Sequence, residues 1–168
     1  INALQAARIA HERWLARLGE EERRLWTAAF QAVDPVIFKR FLRQGAWVAF
    51  PDGELLAREG ERCRKLLLVA EGEAEVMIGG RPVSRLRAGQ FVGESGFAAD
   101  RPATATVFAR TCPEGVSARC VAWDARALRK RMAKDAELAN VVFAALGGDL
   151  ARKIATNNDS LRTAAVGA

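Results

Sequence analysis

The chain has little of what catalytic and metal chemistry requires. Of its 168 residues one is a histidine, His11, and three are cysteines. Cys63, Cys112 and Cys120 form no CxxC pair and no Cys/His spacing, which argues against a zinc site. An odd cysteine count without a signal-peptide pattern points to a reducing, cytoplasmic compartment. No run of about eighteen apolar residues occurs, so no segment reads as a membrane span. There is no nucleophile elbow, metal triad or paired-carboxylate motif, and the chain reads as a non-enzyme. His11 has no acid or nucleophile near it in sequence and reads as an exposed helix residue. The first residue is Ile1 rather than methionine, which fits a fragment of something longer.

What is present is globular. Half the residues are hydrophobic and 27% are charged, enough for a real core. The net charge of +6 suits anionic partners such as a nucleotide phosphate, nucleic acid or anionic lipid, and equally suits an arginine-rich surface. Arg126, Arg129, Lys130 and Arg131 cluster on one predicted helix. They read as a solvated face, and no nucleic-acid partner is expected.

The order of elements is helix, strand, helix. In residues 2–18, Leu4, Ala7, Trp14 and Leu18 make a loose helical stripe. Glu20, Glu21 and Glu22 open a second helix, since acids favour its positive end. Asp34-Pro35 caps and starts a third, which Gly45 ends. From Trp47 the texture changes to short apolar runs separated by glycine-containing turns. Strands are predicted at 46–50, 54–58, 65–70, 73–78, 82–86, 104–109 and 117–123, with a hairpin turn at Gly79-Gly80. Asp124 caps a helix over about 125–133, and a last helix starts near 135. In it Leu138, Val142, Leu146, Leu150 and Ile154 recur every four residues, while Gly147-Gly148 should interrupt or kink it. The tail after Asn157 has little pattern and should fray. Three segments result: helical 1–44, β 45–124, and helical 125–168. Trp47 and Trp123 read as core or edge packing.

Four ordered motifs carry a resemblance. Gly53-Glu54-Leu55-Leu56-Ala57-Arg58-Glu59-Gly60-Glu61 has two glycines framing a strand. Leu66-Leu67-Leu68-Val69 with Gly72-Glu73-Ala74-Glu75-Val76 has an apolar strand, a glycine turn and an alternating strand. Gly89-Gln90-Phe91-Val92-Gly93-Glu94 and Thr104-Ala105-Thr106-Val107 follow at matching spacing. Together they resemble the cyclic-nucleotide-binding domain family over about residues 35–155. The resemblance implies an α+β fold: a β jelly-roll barrel of about eight strands, a cupin-like double-stranded helix, with helices at both ends. It also implies a phosphate-binding cassette made from Gly93, Glu94, Ser95 and Gly96, with Arg101, Ala103 and Thr104 beyond it. In such a cassette a short helix begins after Gly93, and its free N–H groups face a cyclic phosphate. Glu94 would accept a hydrogen bond from the ribose 2′-hydroxyl, and the C-terminal helix would move on binding.

The sequence departs from the family at one decisive place. The arginine that pairs with the phosphate falls on Ala103, and Arg101 is the nearest basic residue, followed by Pro102. Gly96 stands where an apolar helix former is usual, which weakens the short helix by roughly 1 kcal/mol. Glu94 reads either as a ribose ligand or as a cap of its own turn. Thr104 reads either as a ligand donor or as a cross-strand partner. The function expected is a regulatory or sensor module binding cAMP or cGMP weakly. The alternatives are a degenerate domain for protein contacts, homodimeric through the C-terminal helix, and a truncated catabolite-activator-type regulator. The N-terminal segment is similar to the one preceding the barrel in bacterial membrane-tethered, Popeye-like proteins. That likeness implies a cytoplasmic domain anchored by segments outside this chain, with Arg8, Arg13 and Arg17 near the membrane face.

Overall fold

The structure is a computed structural model that describes residues 2–166, with the side chains of 158–161 and 163–166 outside the description. Three helices come first: α1 (Ala3–Leu15), α2 (Glu20–Ala29) and α3 (Pro35–Leu42). The Asp34 carboxylate accepts from the Val36 and Ile37 N–H groups, and Pro35 takes the first helical position, as the sequence predicts. α1 stops at Leu15 rather than near residue 18.

Eight strands follow among the described residues: β1 (Ala46–Phe50), β2 (Leu55–Ala57), β3 (Lys65–Glu71), β4 (Glu73–Ile78), β5 (Arg81–Leu86), β6 (Phe91–Val92), β7 (Thr106–Arg110) and β8 (Ala118–Asp124). They form two four-stranded antiparallel sheets, ordered β1-β8-β3-β6 and β2-β7-β4-β5. A short helix, α4 (Glu94–Ala99), joins β6 to β7, and α5 (Ala125–Met132) and α6 (Ala136–Val166) close the chain. The Asp124 carboxylate accepts from the Ala127 N–H and caps α5.

The first sheet is buried on both faces, which explains why β3 reads as an unbroken apolar run rather than an alternation. Leu66 and Leu68 point to the helices, while Leu67 and Val69 point into the space between the sheets. β8 repeats the division: Val121 and Trp123 join the helical side, Cys120 and Ala122 the inter-sheet side. The Trp123 ring stacks on Phe41 of α3 at 4.3 Å, and its indole N–H donates to the Phe41 carbonyl at 3.0 Å. Trp47 is half-buried under the Arg119 guanidinium. Helices from both ends of the chain therefore share one core with the first sheet. Arg119 also pairs with Glu21 of α2, tying the helical segment to β8.

Several sequence expectations need correction. β6 has only two residues and carries no alternation to detect. β7 begins at Thr106, so Thr104 lies in a bend and not on a strand where it could pair across the sheet. α6 is continuous through Gly147 and Gly148 and runs helically past Asn157 to Val166. The two glycines cost about 1 kcal/mol each in helix propensity, and the packing of Leu146 just before them offsets that cost.

The apolar stripe on α6 also turns out to be placed differently. Leu138, Val142 and Leu146 are buried in this chain's own core, but Ile154 is 60% exposed. A helix has about 3.6 residues per turn, so a repeat of four drifts round the surface. The face that stays buried runs Leu138, Val142, Ala145, Asp149 and Lys153, ending on charge rather than on leucine.

Burial between the sheets pushes the Cys120 thiol from an ordinary value of 9.0 up to about 12. Below pH 9.0 the thiol is neutral in both folded and unfolded chains. As pH rises from 9.0 towards 12 only the unfolded chain ionises, so the stability tied to this group is lost across that window. Cys120 should resist a thiol reagent at about pH 8 until the chain is unfolded. Cys120→Ala should flatten the alkaline fall in the urea midpoint. Rapid modification of Cys120 in the folded protein would contradict this placement.

Candidate functional site

A pocket of about 630 Å³ opens between the β4–β5 hairpin, the segment around α4, and the middle of α6, from Leu150 to Asn157. Its size is that of a small-molecule site. Val76, Ile78, Val83 and Leu86 supply apolar wall from the hairpin, and Leu150 supplies it from α6. Gly93, Glu94, Ser95, Gly96, Ala103 and Thr104 all line it. Arg101 does not: its side chain is exposed outside the pocket wall.

The local backbone explains both cassette glycines. Gly93 turns the chain from β6 into α4 with φ +85°, a left-handed conformation that strains any residue with a side chain. Gly96 is needed for a different reason. A Cβ there would meet the Arg101 carbonyl oxygen at 2.8 Å, because the Arg101 N–H donates back to the Gly96 carbonyl at 2.9 Å. The glycine that looks like a helix-weakening departure is the one that lets the segment close on itself.

Ala103 sits in a small, almost closed place. Its N–H donates to the Glu61 carbonyl and its carbonyl accepts from the Gly60 N–H, each at 2.8 Å. Its side chain is buried and brings no charge to the pocket. The cations in the pocket wall are Arg85, Arg87 and Lys153, and each already faces a carboxylate. Arg85 donates to Glu73 at 2.7 Å, and Arg87 lies 3.3 Å from the same carboxylate.

Lys153 is the residue that sequence reasoning missed, together with Asp149. The Lys153 ammonium donates to Glu94 Oε1 at 2.6 Å and to the Phe91 carbonyl at 2.8 Å, and it forms an ion pair with Asp149 Oδ2 at 2.7 Å. Glu94 is 7% exposed and Asp149 is 0% exposed. Asp149 Oδ2 also accepts from the Phe91 N–H at 3.2 Å, and its other oxygen faces Arg152 at 3.8 Å. The signal was available in the sequence: Asp149 and Lys153 are an i,i+4 pair that continues the buried face of α6. Beside them, burial and the Glu94 carboxylate hold the Cys63 thiol above its ordinary value.

Among the described residues no group of three or more histidine, cysteine or acidic side chains is placed to hold a metal ion. No helix among them is long and apolar enough to cross a membrane.

The sequence model described as "Cyclic nucleotide-binding domain" matches residues 47–135, which takes in both sheets and the pocket's α4 wall. The chain belongs to the cyclic nucleotide-binding domain family. No curated protein sequence matches it. Solved structures do. A cyclic nucleotide-binding domain from Methylobacillus flagellatus aligns with TM-score 0.71 at 20% identity, covering 92% of this chain and 85% of that one. The Thermus thermophilus catabolite activator protein aligns with TM-score 0.60 at 19% identity, over 81% of this chain and 62% of that one. The cAMP-bound PfPKA-R aligns with TM-score 0.54 at 18% identity, over 79% of this chain and 42% of that one. At these identities the likeness is one of fold.

The two readings of glycine can be separated by substitution. Gly96→Ala gains roughly 1 kcal/mol of helix propensity, but its overlap with a backbone oxygen should cost about 1–3 kcal/mol. Gly147 has open space around it, so Gly147→Ala should gain the propensity alone. Urea denaturation should therefore show Gly147→Ala stabilised and Gly96→Ala destabilised. A stabilised Gly96→Ala would contradict the close approach of Arg101.

Proposed function

We propose that this chain is a non-catalytic regulatory module whose pocket takes a cyclic nucleotide, cAMP or cGMP, with low affinity. The observation that carries the reading is the buried Glu94 carboxylate at the start of α4, directly after the left-handed Gly93, on the wall of a nucleotide-sized pocket. In this reading Glu94 accepts the ribose 2′-hydroxyl, and the backbone near Ser95 and Gly96 faces the phosphate. Ala103 offers the phosphate no partner. The absent charge-assisted hydrogen bond is worth about 1.5–3 kcal/mol, or roughly tenfold to a hundredfold in affinity. α6, which forms one wall of the pocket, reports occupancy. The strand orders of the two sheets support a jelly-roll barrel between two helical segments, with divisions near residues 44 and 124.

A second reading is favoured by two side chains on α6, Phe143 at 53% and Ile154 at 60% exposed. They suit a contact or dimerisation face on a domain that no longer takes nucleotide. A membrane-tethered, Popeye-like arrangement rests on the exposed Arg8 and Arg13 of α1 and on Arg17 just after it. A truncated catabolite-activator-type regulator rests on the shared fold with the Thermus protein.

Calorimetric titration with cAMP and cGMP tests the first reading. Weak binding is expected, and Ala103→Arg should tighten it by about tenfold to a hundredfold. Absence of heat at millimolar ligand in both proteins would overturn the reading and leave the contact module.

A further inference from the structure

We propose that Lys153 is a displaceable latch: a cation carried by α6 that occupies the Glu94 carboxylate until a hydroxyl-bearing ligand replaces it. The inference rests on the nucleotide reading for the identity of the ligand. Its geometric part stands on the chain alone.

An ammonium has three N–H donors and no acceptor. At Lys153 two are used, on Glu94 Oε1 and the Phe91 carbonyl, and the nitrogen also pairs with Asp149 Oδ2 at 2.7 Å. Lys153 is therefore held between two carboxylates, and turning to a ligand phosphate would mean leaving one of them. It does not replace the arginine that Ala103 displaces. It competes instead with the ligand for Glu94.

The same residues hold α6 in place. β6 is the edge strand of the first sheet, with β3 on its one paired side. An edge strand presents N–H and C=O groups with no neighbouring strand. At Phe91 both are met by α6: the N–H donates to Asp149 and the carbonyl accepts from Lys153. Asp149 and Lys153 thus stand in for one residue of a missing strand. Beyond Asp149, Leu150 and Lys153 lie on the pocket wall and Ile154 faces solvent. Lys153 is half-buried, and the residues that follow it, 154–157, are exposed.

Opening the latch joins two events. When a ribose hydroxyl takes Glu94 Oε1, the oxygen that Lys153 holds, the ammonium loses one of its two carboxylate partners. The remaining bonds leave a charge in a nearly dry site, which favours its moving to water and taking the end of α6 with it. Removing the cation has the same consequence from the other side, because Glu94 and Asp149 are then two like charges buried near each other. Binding and helix release are therefore linked, and each must change the other by the same factor.

The experiment uses the whole chain with Lys153→Met, and Asp149→Asn as a second variant should the first fail to fold. Two readouts are independent. Amide hydrogen exchange over residues 149–157 without ligand should quicken by about tenfold or more in either variant, while the Leu138–Leu146 part of α6 stays protected. Calorimetry should show Lys153→Met binding cAMP about tenfold more tightly than the unaltered chain, with no such gain for 2′-deoxy-cAMP, which cannot use Glu94. Unchanged exchange would overturn the latch. Weaker cAMP binding by Lys153→Met would also overturn it, since Lys153 would then be a ligand contact. If neither protein takes cAMP, the nucleotide reading fails, and the exchange result alone decides whether the latch exists.

Discussion

The ammonium of Lys153 is held by oxygens from three elements: it donates to Glu94 of α4 and to the main chain of β6, and it pairs with Asp149 of α6. The geometry at the pocket depends on that junction. It fixes Glu94, satisfies the edge of the first sheet at Phe91, and sets how far the end of α6 lies over the pocket. A buried ion pair is seldom a large net source of stability, because desolvation offsets most of the Coulombic attraction. Its value is specificity. Two carboxylates and one ammonium are each costly alone in a dry site, so the position in which all three meet is strongly preferred over any nearby one.

The rest of the molecule prepares that position. Sheet burial on both faces, with Leu66 and Leu68 on one side and Leu67 and Val69 on the other, fixes β3 and so the β6 strand beside it. Gly93 turns the chain sharply into α4, and Gly96 lets α4 close against the Arg101 main chain. Leu138, Val142 and Leu146 seat the first half of α6 on the helical core, so the second half meets the pocket at a set angle. Glu94 stands at the pocket wall paired with the protein's own lysine, and Ala103 brings that wall no charge.

The two sheets were legible in the sequence because their signals are local. Asp34 and Asp124 mark helix starts by capping, and six of the seven predicted strands lie within one residue of the observed ones at both ends. The seventh, at 104–109, begins two residues too early, and β6 was too short to show a period. Six of the seven candidate site residues do line one pocket, and Arg101 lies outside it. The latch was not legible for a more instructive reason. Following leucine every four residues along the last helix leads to Ile154 and the solvent. Following the true turn of the helix leads to Asp149 and Lys153, whose charges disguise a buried face. Gly96 was misread for a related reason, since a glycine demanded by a neighbour further along the chain, Arg101, looks, in sequence, like a poor helix former.

The central claim is that Glu94 is held by Lys153 and is yielded to a ligand. A crystal structure of the chain determined with cAMP in the pocket tests it most directly. The account predicts the ribose 2′-hydroxyl on the Glu94 carboxylate, with Lys153 Nζ drawn beyond the roughly 4 Å reach of an ion pair. A nucleotide seated in the pocket with the Lys153–Glu94 contact intact would contradict it.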